Sequence, residues 1–344
     1  MTITLSILDQ SPVGEREEAE VGIKNTVRLA EAAEELGYHR FWVSEHHNSS
    51  DVAGSAPEAL IGYLIAKTKT LKIGSGGVML QHYSPYKVAE VFHVLSSLAP
   101  NRVDLGIGKA PGGSNLSTQA LQEDKLPIQK EFDQKLNDLK KYIHDEGEKE
   151  DLKATPITRT NPEIFLLGGS VESAELAAKL GISFVFAYFI NGDEKILQEA
   201  RNQFKKHSPK DANNSFLLAL TVVVAEDDLK AISYIKQKET IKIIFSDGRK
   251  LNAASFEHAE KLISENNETE YQLKIQKAGY VAGSKETVKN NIENLLNKND
   301  INEIVVLSPI VDIQERIHSY RLLKEIFEVS TNDKEKISEG LGVK

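Results

Sequence analysis

The sequence of 344 residues contains no cysteine. Disulfide bonds, thiolate nucleophiles, iron–sulfur clusters and zinc sites built on cysteine are therefore all excluded. The same absence indicates the cellular compartment only weakly, because it is compatible with reducing and oxidising surroundings alike.

Positive charge is also in short supply: 42 lysines and arginines stand against 51 aspartates and glutamates, a formal net charge of −9. Proteins that bind nucleic-acid backbones need a basic surface, so we expect no nucleic-acid partner. No apolar run approaches the roughly 20 residues of a membrane span, and residues 1–10 lack the pattern of a signal peptide. We expect a soluble, cytoplasmic protein with no membrane partner.

The chain does contain a regular alternation of short β-rich apolar runs with segments of helical periodicity. Eight strands separated by helices favour a closed parallel barrel over an open sheet. The predicted fold class is therefore α/β, a (β/α)8 TIM barrel with insertions. The predicted strands are residues 3–8, 41–43, 71–80, 102–107, 164–167, 184–187, 216–225 and 304–307.

Two stretches interrupt this alternation. Residues 111–161 begin with a segment rich in glycine, serine and glutamine, and predict a long loop followed by a charged helix and an irregular polar segment. Residues 227–278 are charged, show no clear strand and predict a helical insertion. No flexible linker divides the chain, so we expect residues 1–344 to form one barrel domain. The first insertion is a candidate lid over the barrel mouth.

The most informative segment is Glu45-His46-His47, which directly follows the predicted strand 41–43. Ligands of α/β barrels bind at the C-terminal ends of the strands, and histidine titrates closest to neutral pH. A carboxylate and two imidazoles at a strand end therefore predict chemistry, with all three residues as catalytic candidates. The alternative is one imidazole satisfied in the core and the other in a loop.

Glycines interrupt the third predicted strand at Gly76-Gly77. Glycine weakens a strand, so such a pair marks a bulge or a place where a flat ligand lies close to the backbone. The sequence by itself gives these two interpretations equal weight. If the second holds, Gly76 and Gly77 are cofactor-binding residues.

A second glycine-containing segment leads to Gly169, Ser170 and Ser173, where a predicted strand ends and a helix begins. Free backbone N–H groups and two hydroxyls one turn apart suit an anion at such a helix start. Ser170 can also serve simply as the N-cap. Lys109, at the end of the fourth predicted strand, would add a positive charge. Together these residues suggest a phosphate group at the barrel mouth.

The combined motifs resemble those of the bacterial luciferase-like flavin monooxygenases, in particular the group known as luciferase-like class oxidoreductases. The resemblance extends from about residue 3 to residue 327 and is weakest within the two insertions. The segments that carry it are Glu45-His46-His47-Asn48 and residues 72–80, 101–112 and 167–174.

This resemblance implies a homodimeric TIM barrel that binds reduced FMN at its C-terminal mouth. His46 corresponds to the catalytic histidine of the family. The Gly76-Gly77 pair falls where relatives have a non-prolyl cis peptide against the flavin ring, and Ser170 and Ser173 fall at the positions that bind the FMN phosphate. We expect no metal in this site.

Lys109 departs from the family pattern, in which arginine occupies the corresponding phosphate-binding position. A point charge then replaces a bidentate fork, so we expect looser retention of the cofactor. Loose retention suits an enzyme that takes FMNH2 from a separate flavin reductase and releases oxidised FMN. The implied function is a two-component monooxygenase that uses FMNH2 and O2 on a small organic substrate, which the sequence does not identify.

Three alternatives remain open. The same architecture occurs in enzymes that transfer hydride with the deazaflavin F420, and the chain could bind a flavin without turnover. A metal-dependent hydrolase could be built on His46 and His47. Adjacent residues of a strand point to opposite faces, however, so this pair is badly spaced for joint ligation of a metal.

Overall fold

The computed structural model of the protein describes residues 3–328 except 123–130, 145–151, 237, 247, 249, 254 and 267–269. The strands in these residues are β1 (Thr4–Asp9), β2 (Arg40–Val43), β3 (Lys72–Met79), β4 (Val103–Gly108), β5 (Glu163–Gly168), β6 (Ser183–Ala187), β7 (Phe216–Val224), β8 (Glu239–Phe245), β9 (Lys250–Ala253), β10 (Tyr271–Lys277), β11 (Tyr280–Gly283) and β12 (Glu303–Leu307). The helices are α1 (Ala19–Glu35), α2 (Pro57–Lys67), α3 (Pro85–Leu98), α4 (Asn115–Gln122), α5 (Phe132–His144), α6 (Val171–Leu180), α7 (Glu194–His207), α8 (Asp228–Ser233), α9 (Phe256–Asn266), α10 (Lys285–Asn299) and α11 (Ile313–Phe327).

A closed parallel barrel forms the centre of the molecule. Strands β1 to β7 pair in sequence order, and β12 completes the ring by pairing with both β7 and β1. The short strand β11 adds to the C-terminal part of β7. The predicted (β/α)8 TIM barrel and its eight strands are confirmed.

Two apolar layers stabilise the barrel, because each strand is buried on both faces, as parallel strands in such folds are. The outer layer packs the strands against the surrounding helices. The inner layer fills the barrel and consists of Leu8, Trp42, Phe165, Val185, Leu217, Ala219, Val305 and Leu307.

None of the described helices has both the length and the apolar character needed to cross a bilayer.

A buried ion cluster closes the barrel at the end where the strands begin. The Arg40 guanidinium lies 2.9 Å from Asp104 Oδ2, 3.0 Å from Glu163 Oε2 and 2.9 Å from Glu303 Oε1. Trp42 Nε1 donates to the same oxygen of Asp104 at 3.0 Å. Lys72 Nζ adds a second cation, 3.3 Å from Glu163 Oε2 and 3.9 Å from Asp104 Oδ1, so Arg40 is the central cation of the cluster and the one in contact with all three carboxylates.

A second buried ion pair joins the first strand to the last helix. Arg316 Nη1 of α11 lies 2.9 Å from Asp9 Oδ1 at the end of β1, and both side chains are almost fully buried. Thr26 and the backbone N–H of Ser11 donate to the other oxygen of Asp9. The Asp9 carboxylate is thereby shared by β1, α1 and α11.

The prediction of a helical insertion at residues 227–278 was wrong. After α8 this segment forms a three-stranded antiparallel sheet in the order β10-β8-β9, with α9 against it. The reason is the period-two pattern of Ile241, Ile243 and Phe245, whose side chains all point to one face and pack against Ala259 and Leu262 of α9. A helix would have distributed these three side chains around its axis.

The insertion at residues 111–161 contains α4, where a loop was predicted, and α5, which matches the predicted charged helix. Helix α4 meets α9 through Asn115, whose Nδ2 donates to the backbone oxygen of Glu265 at 3.0 Å. Residues 123–130 and 145–151 lie outside the described part of the chain. The lid hypothesis therefore stays a prediction.

Candidate active site

The end of β3 presents a surface without side chains at the barrel mouth. The peptide bond between Gly76 and Gly77 is cis, as the resemblance implied, and the pairing of β3 with β4 shifts register there. A Cβ on Gly76 would lie 2.5 Å from Leu8 Cδ1, and one on Gly77 would lie 2.8 Å from the carbonyl of Gly106. A side chain at Gly77 would collide with backbone, and one at Gly76 would have to displace Leu8, so both positions favour glycine. Gly76 is partly exposed and Gly77 is buried, and neither places a side chain between the backbone and a flat ligand.

A buried carboxylate organises the residues after β2. Glu45 Oε1 lies 2.7 Å from His47 Nε2 and accepts a hydrogen bond of 2.7 Å from the Tyr83 hydroxyl. Its other oxygen accepts from the backbone N–H of Met79 at 3.0 Å. Glu45 thus links β2, the end of β3 and the residues that precede α3 in one hydrogen-bonded group.

His46 lies in a separate hydrogen-bonding group. Its Nδ1 lies 3.0 Å from the hydroxyl of Ser44, and its backbone N–H donates to the carbonyl of Gly54 at 2.7 Å. Burial lowers the pKa of the His46 ring below 6.5, and the neighbouring His47 lowers it further. His46 is therefore neutral at pH 7, and Nε2 is its nitrogen left for a ligand.

Replacing His46 with asparagine is expected to weaken the loss of stability on acidification. Because the pKa of His46 is lowered in the folded protein, the unfolded protein binds more protons in a window below pH 6.5. The stability contributed by the neutral ring is complete above that window and disappears as pH falls through it. Urea unfolding of both proteins at pH 7 and at lower values measures this. His39, whose pKa is also lowered, is present in both proteins, so equal pH slopes would contradict the prediction.

The turn between β5 and α6 has the geometry that its sequence predicts. Ser170 is the N-cap of α6, and its Oγ accepts from the backbone N–H of Ser173 at 3.3 Å, while the two hydroxyls are 3.2 Å apart. Buried Asn191 donates to the carbonyl of Gly169 at 3.1 Å. The helix start therefore offers hydroxyls and N–H groups to an anion, and the phosphate assignment stays a prediction.

The backbone of Lys109 lies beside the turn between β5 and α6, but its side chain contacts α5 of the first insertion. Gly108 is paired in register with Leu167, so Lys109 follows directly next to the end of β5. Its exposed ammonium lies 5.3 Å from the ring centroid of Phe132 in α5. An exposed lysine side chain can rotate at little cost, and its contact with a phosphate is likewise a prediction.

The loop after β4 packs against two histidines of the site, His47 and His82. His82 Nε2 lies 2.7 Å from the carbonyl of Pro111, and its Nδ1 lies 3.2 Å from Gln122 Nε2. Gly112 has a φ of +67°, and its carbonyl accepts from the backbone N–H of His47 at 2.8 Å. The beginning of the first insertion therefore forms one wall of the site.

The family is decided by a comparison with known proteins. A family model described as luciferase-like monooxygenase matches residues 1–298. The chain belongs to the luciferase-like monooxygenase family. A curated relative, the N-acetyl-S-alkylcysteine monooxygenase of Bacillus subtilis (strain 168), is 51% identical over 328 residues, which cover 94% of this chain and 98% of the relative.

Solved structures agree with this assignment. The luciferase-like chain matches apo-MsnO8 with a TM-score of 0.77 and 31% identity, over 96% of this chain and 98% of that one. An oxygenating constituent of 3,6-diketocamphane monooxygenase from a Pseudomonas putida plasmid, in complex with FMN, has a TM-score of 0.68 at 16% identity, with coverage of 94% and 97%. An F420-dependent secondary alcohol dehydrogenase has a TM-score of 0.64 at 14% identity, with coverage of 96% and 100%. The latter two show the fold alone.

The two histidines of this luciferase-like protein serve different partners. His46 turns to Ser44 and His47 turns to Glu45. In the part of the chain that the structure describes, no three acidic or histidine side chains are grouped as a metal would require. The arrangement gives no support to the metal-dependent hydrolase, because a metal bound by both histidines would require the two imidazole rings to face one common point.

Sequence reasoning missed several contributors to the site. Tyr83 and the backbone N–H of Met79 reach Glu45 from residues 34 to 38 positions away. The local pattern carries no signal for these contacts, since they depend on the packing of β3 beside β2. Ser44 was within reach of sequence reasoning, because it stands two residues before His46.

Proposed function

We propose that the protein is an FMN-dependent, two-component monooxygenase that acts on N-acetyl-S-alkylcysteines. The relative of that name, 51% identical over nearly the whole chain, supports the substrate class. The single structural observation that carries the cofactor assignment is the side-chain-free Gly76-Gly77 surface, two strands away from the hydroxyl-lined start of α6. FMN consists of a flat ring and a phosphate joined by a flexible chain. The ring suits the Gly76-Gly77 surface, and the phosphate suits the start of α6.

The residues of the site divide the work among them. Gly76 and Gly77 give the ring system a flat backbone surface, while Ser170 and Ser173, with Lys109, hold the phosphate. When bound, reduced FMN supplies the two electrons with which one atom of O2 enters the substrate and the other leaves as water.

His46 is the residue we assign to proton transfer at the substrate. Its ring is neutral at pH 7, its Nδ1 faces the Ser44 hydroxyl, and its Nε2 is available to accept a proton. Glu45 and His47 complete the catalytic group. The Glu45 carboxyl group contacts the His47 ring and the backbone N–H of Met79, and it thereby holds His47 and the end of β3 in place.

A coupled assay tests this proposal. The protein, FMN, a flavin reductase and NADH are incubated with N-acetyl-S-methylcysteine under ¹⁸O2, and the products are analysed by mass spectrometry. We expect one labelled oxygen atom in the product, and no product when the reductase is omitted. Tight FMN binding without any turnover would instead support a flavin-binding protein that is not an enzyme.

The choice between FMN and F420 needs a separate experiment, because both molecules combine a flat tricyclic ring with a phosphate. Competitive titration followed by flavin fluorescence compares their affinities in the same protein. We expect FMN to bind more tightly. Tighter binding of F420, with hydride transfer to a substrate and no uptake of labelled oxygen, would favour the alternative function.

We also propose a homodimer formed through α2 and α3, which pack against each other. These helices expose Tyr63, Val94 and Leu98, with 52%, 46% and 67% of their surfaces accessible. Val94 and Leu98 are four residues apart and therefore share one face of α3. A contiguous apolar face of this kind marks an interaction surface.

Replacing Leu98 with glutamate is expected to convert the dimer to a monomer, because it buries a charge in an apolar contact. Light scattering coupled to size-exclusion chromatography measures the mass of each variant. The control is Leu229→Glu in α8, an equally apolar and 83% exposed position away from this face. A monomeric wild-type protein, or equal masses for both variants, would refute the interface.

A further inference from the structure

Glu45 is fully buried, and its carboxyl group contacts hydrogen-bonding partners from three different parts of the fold. One oxygen faces His47 Nε2 and the Tyr83 hydroxyl, both at 2.7 Å. The other faces the backbone N–H of Met79 at 3.0 Å. Each oxygen therefore has at least one hydrogen-bond partner, as buried polar atoms generally do, and no lysine or arginine is among these three partners.

The chemistry of these partners determines where the hydrogens lie. An ionised carboxylate only accepts hydrogen bonds, so each partner must donate. The amide of Met79 can do nothing else. Burial and the hydrogen bond to Glu45 raise the pKa of the Tyr83 hydroxyl, which therefore keeps its proton and donates. The His47 ring is then required to carry its hydrogen on Nε2.

We infer that Glu45, supported by Tyr83, is a positioning residue that holds His47 in the tautomer with hydrogen on Nε2 and a bare Nδ1. The inference deepens the proposed function, on which its catalytic consequence rests. The two histidines then engage opposite ring nitrogens: His46 uses Nδ1 towards Ser44, and His47 uses Nε2 towards Glu45. His46 Nε2 and His47 Nδ1 are the ring nitrogens that these two contacts do not use.

A glutamine substitution at position 45 separates this role from a merely structural one. The N–H of Met79 requires an oxygen, so the introduced amide must keep its carbonyl towards Met79 and turn its NH2 group towards His47. That NH2 group donates, so His47 Nε2 must become an acceptor and the hydrogen must move to Nδ1. Shape and volume are almost unchanged, while the tautomer is inverted.

The experiment uses the cofactor-free protein labelled with ¹⁵N-histidine. Imidazole ¹⁵N chemical shifts distinguish a protonated from a bare nitrogen, and the signal that His47→Asn removes identifies His47 among the nine histidines. We expect hydrogen on Nε2 in the wild type and on Nδ1 in Glu45→Gln. Tyr83→Phe is the matched control, since it removes one donor but keeps the carboxylate, and it should retain the wild-type tautomer.

Two results would overturn the inference: a wild-type His47 with its hydrogen on Nδ1, or an unchanged tautomer in a folded Glu45→Gln protein. The wild-type spectrum decides the matter even if the variant does not fold. In the coupled assay, we expect Glu45→Gln to lower kcat, because the site then presents the other ring nitrogen of His47. A third outcome separates the two proposals. If Glu45→Gln inverts the His47 tautomer but the wild-type protein shows no turnover, the proposed function is rejected and the positioning role of Glu45 is kept.

Discussion

Replacing Arg40 with alanine is expected to lower the free energy of unfolding by about 3–5 kcal/mol. The side chain is 7% exposed and contacts three carboxylates, of which that of Asp104 is fully buried. Proximity of these carboxylates raises the pKa of Arg40 above its usual value. Removing the guanidinium takes the close cation away from Asp104 and Glu303, because the remaining Lys72 ammonium lies 3.3 Å from Glu163 and only 3.9 Å from Asp104. The repulsion among the carboxylates is then added to the cost of burying Asp104. Urea unfolding at neutral pH measures the effect.

Lys24→Ala is the control for this prediction. Lys24 pairs with Glu20 across one turn of α1, where both side chains are mostly exposed, and such pairs contribute about 0.3–0.5 kcal/mol. Arg40→Lys should fall between the two, because it keeps the charge and loses the planar fork. A loss in Arg40→Ala no larger than that of Lys24→Ala would show that the cluster does not stabilise the barrel.

Replacing His46 with asparagine is expected to reduce kcat by about 10²- to 10⁴-fold in the coupled assay, the usual contribution of a positioned acid–base group. Asparagine fills a similar volume but cannot accept a proton at neutral pH. Affinity for FMN should change little, because the proposed positions of its phosphate and ring lie elsewhere in the site. Steady-state kinetics and a fluorescence titration separate these two quantities.

The pH profile gives this prediction a second readout. The pKa of His46 lies below 6.5, so wild-type kcat should be level at pH 7 and fall only in the acidic range where the ring takes up a proton. In His46→Asn, the part of this decline due to His46 should disappear. Lys24→Ala, on the exposed face of α1, is a control expected to retain kcat. Equal kcat in the His46 variant and the wild type would exclude the assigned role.

Most of the barrel could be predicted because its signals are local. Strand β2 is a short run of aromatic and branched residues, and its end is marked by the polar residues that follow. The segment with β8 and β10 was misjudged because lysines and glutamines alternate with its apolar residues. Strand β10 is mostly exposed on both faces. Its polar and charged residues therefore suggested a solvent-exposed helix and concealed the period-two pattern of a strand.

The candidate site was only partly predictable, for a different physical reason. Glu45, His46 and the Gly76-Gly77 pair lie at strand ends, where the chain itself indicates ligand binding. Tyr83 lies in no comparable pattern, and its role depends on the distance to a carboxylate delivered by another strand. Such contacts appear only when the barrel closes.

The ion pair between Asp9 and Arg316 has a consequence for synthesis of the chain on the ribosome. Its partners are 307 residues apart, so the Asp9 carboxylate has no guanidinium partner from α11 until nearly the whole polypeptide has emerged. The first strand also waits for β12 before its second edge is covered. Ring closure is therefore a late event in biosynthesis, and nascent chains that stop before β12 present an open strand edge to chaperones.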